Sequence, residues 1–87
     1  MELNEEIVST ETCRQFASIM EIAEEMKNKT IDMGFAIFMV QHSLAVLNKQ
    51  VYYARRFDFG DMVEETMKVI KMAEELREKI INPSPIE

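Results

Sequence analysis

Apolar side chains recur at three- and four-residue steps along most of the 87-residue chain, and this spacing is typical of α-helices. Clusters of polar residues, glycine and proline interrupt the pattern and mark the ends of the predicted helices. The pattern predicts helices at about residues 10–28, 31–57 and 61–81, followed by a flexible tail over residues 82–87. We expect one all-α domain over residues 1–87, a three-helix bundle in which helices two and three form a hairpin.

The first helix is predicted to begin at Ser9 or Thr10, because either hydroxyl group can accept a hydrogen bond from a free amide of the first turn. Its apolar residues form one stripe, which consists of Cys13, Phe16, Ile19, Met20, Ala23 and Met26. We expect this stripe to face the core, and Cys13 to be a small buried residue instead of a reactive thiol.

The second helix is long and central, and it carries apolar residues on two opposite faces. One face consists of Met33, Ile37, Val40, Leu44, Leu47 and Val51, and the other of Phe35, Phe38, Met39, Val46, Tyr53 and Phe57, with His42 beside them. A helix that is apolar on opposite sides must be covered on both sides. At roughly 40 Å, this helix would also overhang a compact domain of about 30 Å in diameter.

A second copy of the chain is the simplest cover for the second of these faces, because a two-fold dimer uses the same face twice. We therefore expect a homodimer. The residues predicted to form its interface are Phe35, Phe38, Met39, His42, Val46 and Tyr53. The pattern is compatible with parallel and with antiparallel pairing, and also with a larger oligomer.

The third helix is predicted to begin at Asp61, which has the spacing of a capping box with Glu64. Its apolar seam consists of Met62, Thr66, Val69, Ala73, Leu76 and Ile80, widened by Val63 and Ile70. Glu64 and Lys68 are four residues apart, and we expect them to form one of several ion pairs on the outer side of the helix.

Helices one and two could also be one continuous helix, because the three- and four-residue spacing continues through Thr30 without a proline. Asn28, Asp32 and Gly34 have poor helix propensity, however, and they favour a break at residues 28–32. Thr30 or Asp32 would then cap the second helix.

Charge and composition exclude several classes of function. The net charge of −6 argues against nucleic-acid binding, which needs clustered Lys and Arg. The charge is unevenly distributed along the chain. Residues 1–30 carry seven acids and three bases, a charge of −4, and residues 61–87 carry seven acids and four bases, a charge of −3. Residues 31–60 carry two acids and three bases, a charge of +1. The acidic first residues argue against a secretory leader, and the longest apolar run is too short to span a membrane, so we expect a cytoplasmic protein.

His42 is the only histidine and the first candidate for chemistry. The run His42-Ser43-Leu44 resembles the start of the motif of histidine phosphotransfer domains, which implies phosphate transfer through the imidazole. That motif continues with Lys and Gly where this chain has Ala45 and Val46. No acidic residue follows the histidine to accept its proton, so we expect an interface residue, with phosphotransfer signalling as the alternative function.

We expect no metal and no cofactor. Glu21, Glu24 and Glu25 resemble the first part of the Glu-x-x-Glu-Glu cluster of all-α nucleotide pyrophosphatases, but helix two adds only Asp32 as a further carboxylate. Met39 stands where a Glu-x-x-His di-iron motif needs its glutamate. One cysteine cannot form an internal disulfide or a cysteine zinc site. An enzyme acting on a small molecule or through a metal is therefore the least supported alternative.

The eight methionines favour an adaptable binding surface, because the unbranched Met side chain repacks against different partners. We interpret the chain as a non-enzymatic interaction or regulatory module that acts through its apolar, Met- and aromatic-rich helical surface. Its expected partners are a second copy and another protein, for which the acidic outer helices would favour basic charge.

Overall fold

Three α-helices joined by short turns make up the part of the protein that the computed structural model describes, residues 4–82. Helix α1 spans Glu5–Lys27, α2 spans Met33–Arg56 and α3 spans Gly60–Ile81. Each helix packs against the other two, which confirms the all-α three-helix bundle predicted from the sequence. Apart from Asn82, the predicted tail lies outside the described residues.

The bundle is elongated, with dimensions of 45 × 21 × 15 Å. The three helices contain 23, 24 and 22 residues, so α2 is as long as its neighbours and does not overhang them. The expected overhang was therefore wrong, since it assumed a rounder domain and a shorter first helix. Any argument for a second copy must rest on the surface of α2 and not on its length.

Helix α1 begins five residues earlier than the sequence indicated. Asn4 is the N-cap, and its side-chain Oδ1 accepts a hydrogen bond of 3.0 Å from the backbone amide of Ile7. Glu5 and Glu6 lie in the first turn, where negative charge interacts favourably with the helix dipole. Neither Ser9 nor Thr10 is the N-cap, because Asn4 already accepts from the first turn and both hydroxyl residues lie inside the helix.

The turn between α1 and α2 confirms the break predicted at residues 28–32. Lys29 has a φ of 57°, a left-handed conformation that cannot continue an α-helix. The backbone amide of Thr30 then donates to the carbonyl of Glu25 over 2.9 Å and closes the end of α1. Asp32 caps α2, since its carboxylate accepts from the amide of Phe35 over 3.0 Å.

Helix α3 begins at Gly60 without a side-chain cap, so the predicted capping box does not form. Asp61 lies inside the first turn, and the carbonyl of Phe59 accepts from the amides of Met62 and Val63 instead. The expected pairing of Lys68 with Glu64 is also absent from residues 4–82. Lys68 lies 3.6 Å from Glu65, a contact between two exposed side chains that contributes little.

The core consists of branched aliphatic side chains from all three helices. The larger cluster contains Ile19, Ile22, Ala36, Val40, Leu44, Leu47, Val51, Val69, Ile70, Ala73 and Leu76. A smaller cluster contains Val8, Ala54 and Met62. Most of the predicted seam of α3 and most of the first face of α2 are therefore buried, although Ile80 is half-buried and Met33 is exposed.

The predicted stripe of α1 was wrong by about one position. Its buried residues are Val8, Thr12, Gln15, Ile19 and Ile22, whereas Cys13, Phe16 and Met20 are exposed. Two of the buried residues are polar, and both have partners. Thr12 Oγ1 lies 3.0 Å from Thr66 Oγ1, and Gln15 Nε2 donates to Glu11 over 3.0 Å. These hydrogen bonds allow the two polar side chains to be buried, and the pattern of hydrophobic residues does not indicate their burial.

Candidate interaction surface

The side of α2 that points away from the core carries the predicted interface residues, and we call it the α2 outer face. Its members are Phe35, Phe38, Met39, His42, Val46 and Tyr53. Phe35 and Phe38 are 55% and 62% exposed, whereas Leu47 on the opposite side is fully buried. Met39, Val46 and Tyr53 are half-buried, and His42 is exposed. The packing of α1 and α3 therefore leaves Phe35, Phe38 and His42 open to solvent, whereas Met39 also packs against the edge of the main core cluster.

Aromatic side chains lie at both ends of the α2 outer face. The rings of Phe35 and Phe38 are stacked, with their centroids 6.5 Å apart. At the other end, Tyr52 and Tyr53 meet edge to face at 5.6 Å. Phe35 and Tyr53 are separated along the helix by about 27 Å. The middle of the face carries smaller side chains, so the side chains project further from the helix at its two ends than at its centre.

A regular spacing connects these residues. Positions 35, 39, 42, 46, 49 and 53 follow one another at steps of four and three, which is the spacing of a coiled-coil seam. Lys49 belongs to this seam, and its Nζ lies 6.0 Å from the ring centroid of Tyr53. Tyr52 and Ala45 flank it and are exposed. Our sequence interpretation missed these three residues, although the heptad spacing was there to indicate them.

The charge of α2 differs from that of its neighbours. Lys49, Arg55 and Arg56 lie in its last eight residues, and the helix contains no acidic side chain. Arg55 and Arg56 line an open cleft together with Asn48, Tyr52 and Met67. The two flanking helices are rich in glutamate, so the protein presents a basic, aromatic end of α2 on an otherwise acidic surface.

His42 and the carboxylates show no arrangement suited to catalysis. The His42 side chain has no hydrogen-bond or ion-pair partner within residues 4–82, so no acid is in place to take its proton. In that same range, no three His, Cys, Asp or Glu side chains come close enough to share a metal ion. Phosphotransfer at His42 stays a prediction that the exposure of the imidazole allows and the surrounding residues do not favour.

A second apolar surface lies between α1 and α3, on residues that we had assigned to the core. This groove is lined at one end by Ser9, Thr12, Cys13, Phe16, Met62, Glu65, Lys68, Val69 and Met72. A shallower stretch continues past Met20 towards Lys79. Phe16 and Met20 are 41% and 47% exposed, less than the two phenylalanines of the α2 outer face. Charges of both signs border this groove, so it lacks a clear electrostatic preference for a partner.

None of the three helices in the described range is long and apolar enough to cross a membrane. No protein-family model, no curated protein and no solved structure matches this chain. The functional argument therefore depends on the geometry and chemistry of the surfaces described above.

Proposed function

We propose that the protein is a non-enzymatic interaction module that acts through the α2 outer face, and that a second copy of the chain occupies this face. The single observation that carries the proposal is the exposure of Phe35 and Phe38 beside the half-buried Met39, Val46 and Tyr53. Isolated apolar residues are common on protein surfaces, but a continuous row of this kind marks an interaction site.

The energetics support self-association through these rings. A two-fold dimer uses each residue twice, so it would bury four exposed phenylalanine side chains. An aromatic side chain covers about 150–250 Å², and these rings are 55% and 62% exposed, so the four together can remove roughly 400 Å² from water, worth about 10 kcal/mol. Association itself costs about 4–15 kcal/mol. The rings therefore offset a large part of that cost, and the rest of the face supplies the remainder.

The mass of the protein in solution tests this proposal. We expect the wild type to run as a dimer of the 10.2 kDa chain in light scattering coupled to size exclusion. Val46→Glu should run as a monomer, because it places a carboxylate in the middle of the buried apolar interface. Met39→Lys should act in the same way, and circular dichroism should show an unchanged helix content for both.

Met20→Lys is the matched control for Met39→Lys, because it makes the same substitution on an exposed methionine of the groove between α1 and α3. This variant should remain a dimer. A wild type that is monomeric over the whole concentration range would contradict self-association and would assign the α2 outer face to another protein. A dimer that Met20→Lys dissociates and Met39→Lys does not would move the interface to the groove.

A further inference from the structure

We infer that the two copies pair with their α2 helices antiparallel, in the register that places the two-fold axis beside Leu44 and Ala45. This inference rests on the proposed function, because it specifies how the α2 outer face associates with itself. The inference is supported by the positions of three charged residues. Lys49 lies in the seam, and Asp32 and Arg56 continue its spacing by one step at either end.

The seam extends beyond the aromatic residues at both ends. Steps of three and four run without interruption through Asp32, Phe35, Met39, His42, Val46, Lys49, Tyr53 and Arg56. Two helices with this spacing pack along the seam with a left-handed crossing of about 20°. The seam begins at the N-cap of α2 and ends at its last residue, so it uses the whole length of the helix.

Parallel pairing is unfavourable for this seam. In a parallel two-fold pair, every seam residue lies against its own copy. Asp32 would face Asp32, Lys49 would face Lys49 and Arg56 would face Arg56, all within one interface. Like charges placed directly opposite each other weaken an interface, and here the repulsion would recur at three levels. Antiparallel pairing separates all three of these pairs.

The antiparallel register gives each charged end a complementary partner. With the axis beside Leu44, Asp32 of one copy lies in the same layer as Arg56 of the second copy, and this occurs at both ends of the dimer. Phe35 then lies opposite Tyr53, so the aromatic ends of the two helices cover each other. A shift by one heptad in either direction would leave one aromatic end of each helix uncovered. In one direction Asp32 would lie opposite Lys49 and Arg56 would lose its partner, and in the other direction both Asp32 and Arg56 would lose their opposite charge.

The flank of the seam is consistent with the same register. Phe38 and Tyr52 flank the seam near its two ends and are 62% and 59% exposed, and antiparallel pairing brings them opposite each other. Ala45 lies on that flank close to the proposed axis, where its small side chain allows the helices to approach. The methylenes of Lys49 would cover Met39 of the second copy while the ammonium group stays in water.

Disulfide cross-linking between two single-cysteine variants tests the orientation. The exposed Cys13 is first replaced by Ser, since it would otherwise react itself. Met39→Cys and Lys49→Cys are then made separately in that background, one of them with a tag that distinguishes its mass. In the antiparallel register, each cysteine lies about 15 Å along the axis from its own copy, too far for a disulfide, which needs Cα atoms within about 7 Å.

We expect no disulfide dimer from either variant alone and a mixed disulfide when the two are combined and mildly oxidised. Met20→Cys in the same background reports the rate of collisional cross-linking and should stay low in every mixture. Self-linked dimers of Met39→Cys and of Lys49→Cys would overturn the antiparallel register while leaving the proposed function intact. No disulfide in any mixture, with a monomeric mass, would overturn both.

The end charges give an independent test without cysteines. Asp32→Asn keeps the helix cap and removes the charge, and Arg56→Gln removes the opposite charge. Each should raise the dimer Kd roughly two- to tenfold, and the double variant should be no weaker than the weaker single variant. Parallel pairing would give the opposite sign, because either single substitution would then relieve a repulsion and lower the Kd.

Discussion

The two sides of α2 belong to the same 24 residues and differ in almost every physical respect. The inner side consists of small and branched aliphatic residues, such as Val40, Leu47 and Ala54, all fully buried. The outer side carries aromatic rings and a histidine, and Phe38 on this side is 62% exposed. The inner side supplies the buried side chains with which α2 packs into the bundle. On the outer side Met39 packs against the edge of the main cluster, whereas the exposed rings of Phe35 and Phe38 add little to the packing of one chain.

Leu47→Ala removes packing from the inner side of α2, and it should lower the free energy of unfolding more than any other substitution discussed below. The side chain is fully buried in the main cluster, and its truncation should cost about 2–5 kcal/mol. A domain of this size has a total stability of about 5–15 kcal/mol, so the variant should lose a large fraction of its stability. Urea unfolding followed by circular dichroism measures the free energy of unfolding. A loss below about 1 kcal/mol would contradict the prediction and show that neighbouring side chains fill the space left by the leucine.

Phe38→Ala is the corresponding change on the outer side, and it should separate stability from assembly. At concentrations where the wild type is monomeric, the free energy of unfolding should change by less than about 0.5 kcal/mol, since the ring packs mostly against solvent. The dimer Kd should rise at least about tenfold, because the large exposed ring would lose its cover in the interface. Sedimentation equilibrium measures the Kd. A large loss of monomer stability would contradict the distinction between the two sides.

His42→Ala should have the smallest effect of the three. The imidazole is exposed and makes no described contact, so helix content and melting temperature should match the wild type, and a dimer should still form. The same variant tests the alternative chemistry. Acid-labile phosphate that appears on the wild type with a small phosphodonor, and not on His42→Ala, would replace our interpretation with phosphotransfer signalling.

Sequence reasoning was most accurate where the buried residues are mostly apolar. The seam of α3 and the inner side of α2 were predicted because residues such as Val69, Leu76 and Leu44 repeat at helical steps and are buried. The α1 stripe was misplaced because its buried side includes Thr12 and Gln15. Their hydrogen-bond partners are not visible from hydrophobic periodicity, and for Thr12 the partner is on another helix.

The candidate surface was found from the sequence, but its extent was not. Phe35 and Phe38 were predicted to lie away from the core and do so, while their burial by a second copy stays a prediction. Lys49 was missed because the periodicity of apolar residues does not include a charged side chain. A seam that contains charged residues can be detected only from the spacing of its positions and not from their hydrophobicity. In this protein the charged positions determine the proposed orientation of the two helices.

The hydrogen bond between Thr12 and Thr66 also has a consequence for the uniqueness of the fold. Both hydroxyl groups are buried, and they join α1 to α3 across 54 positions of the chain. Aliphatic side chains tolerate a slide of one helix along another by a turn, since one methyl group replaces the next. The two threonines do not, because such a slide would leave two buried hydroxyl groups unpaired. This hydrogen bond therefore favours the observed longitudinal alignment of the first and last helices over alignments shifted by one turn.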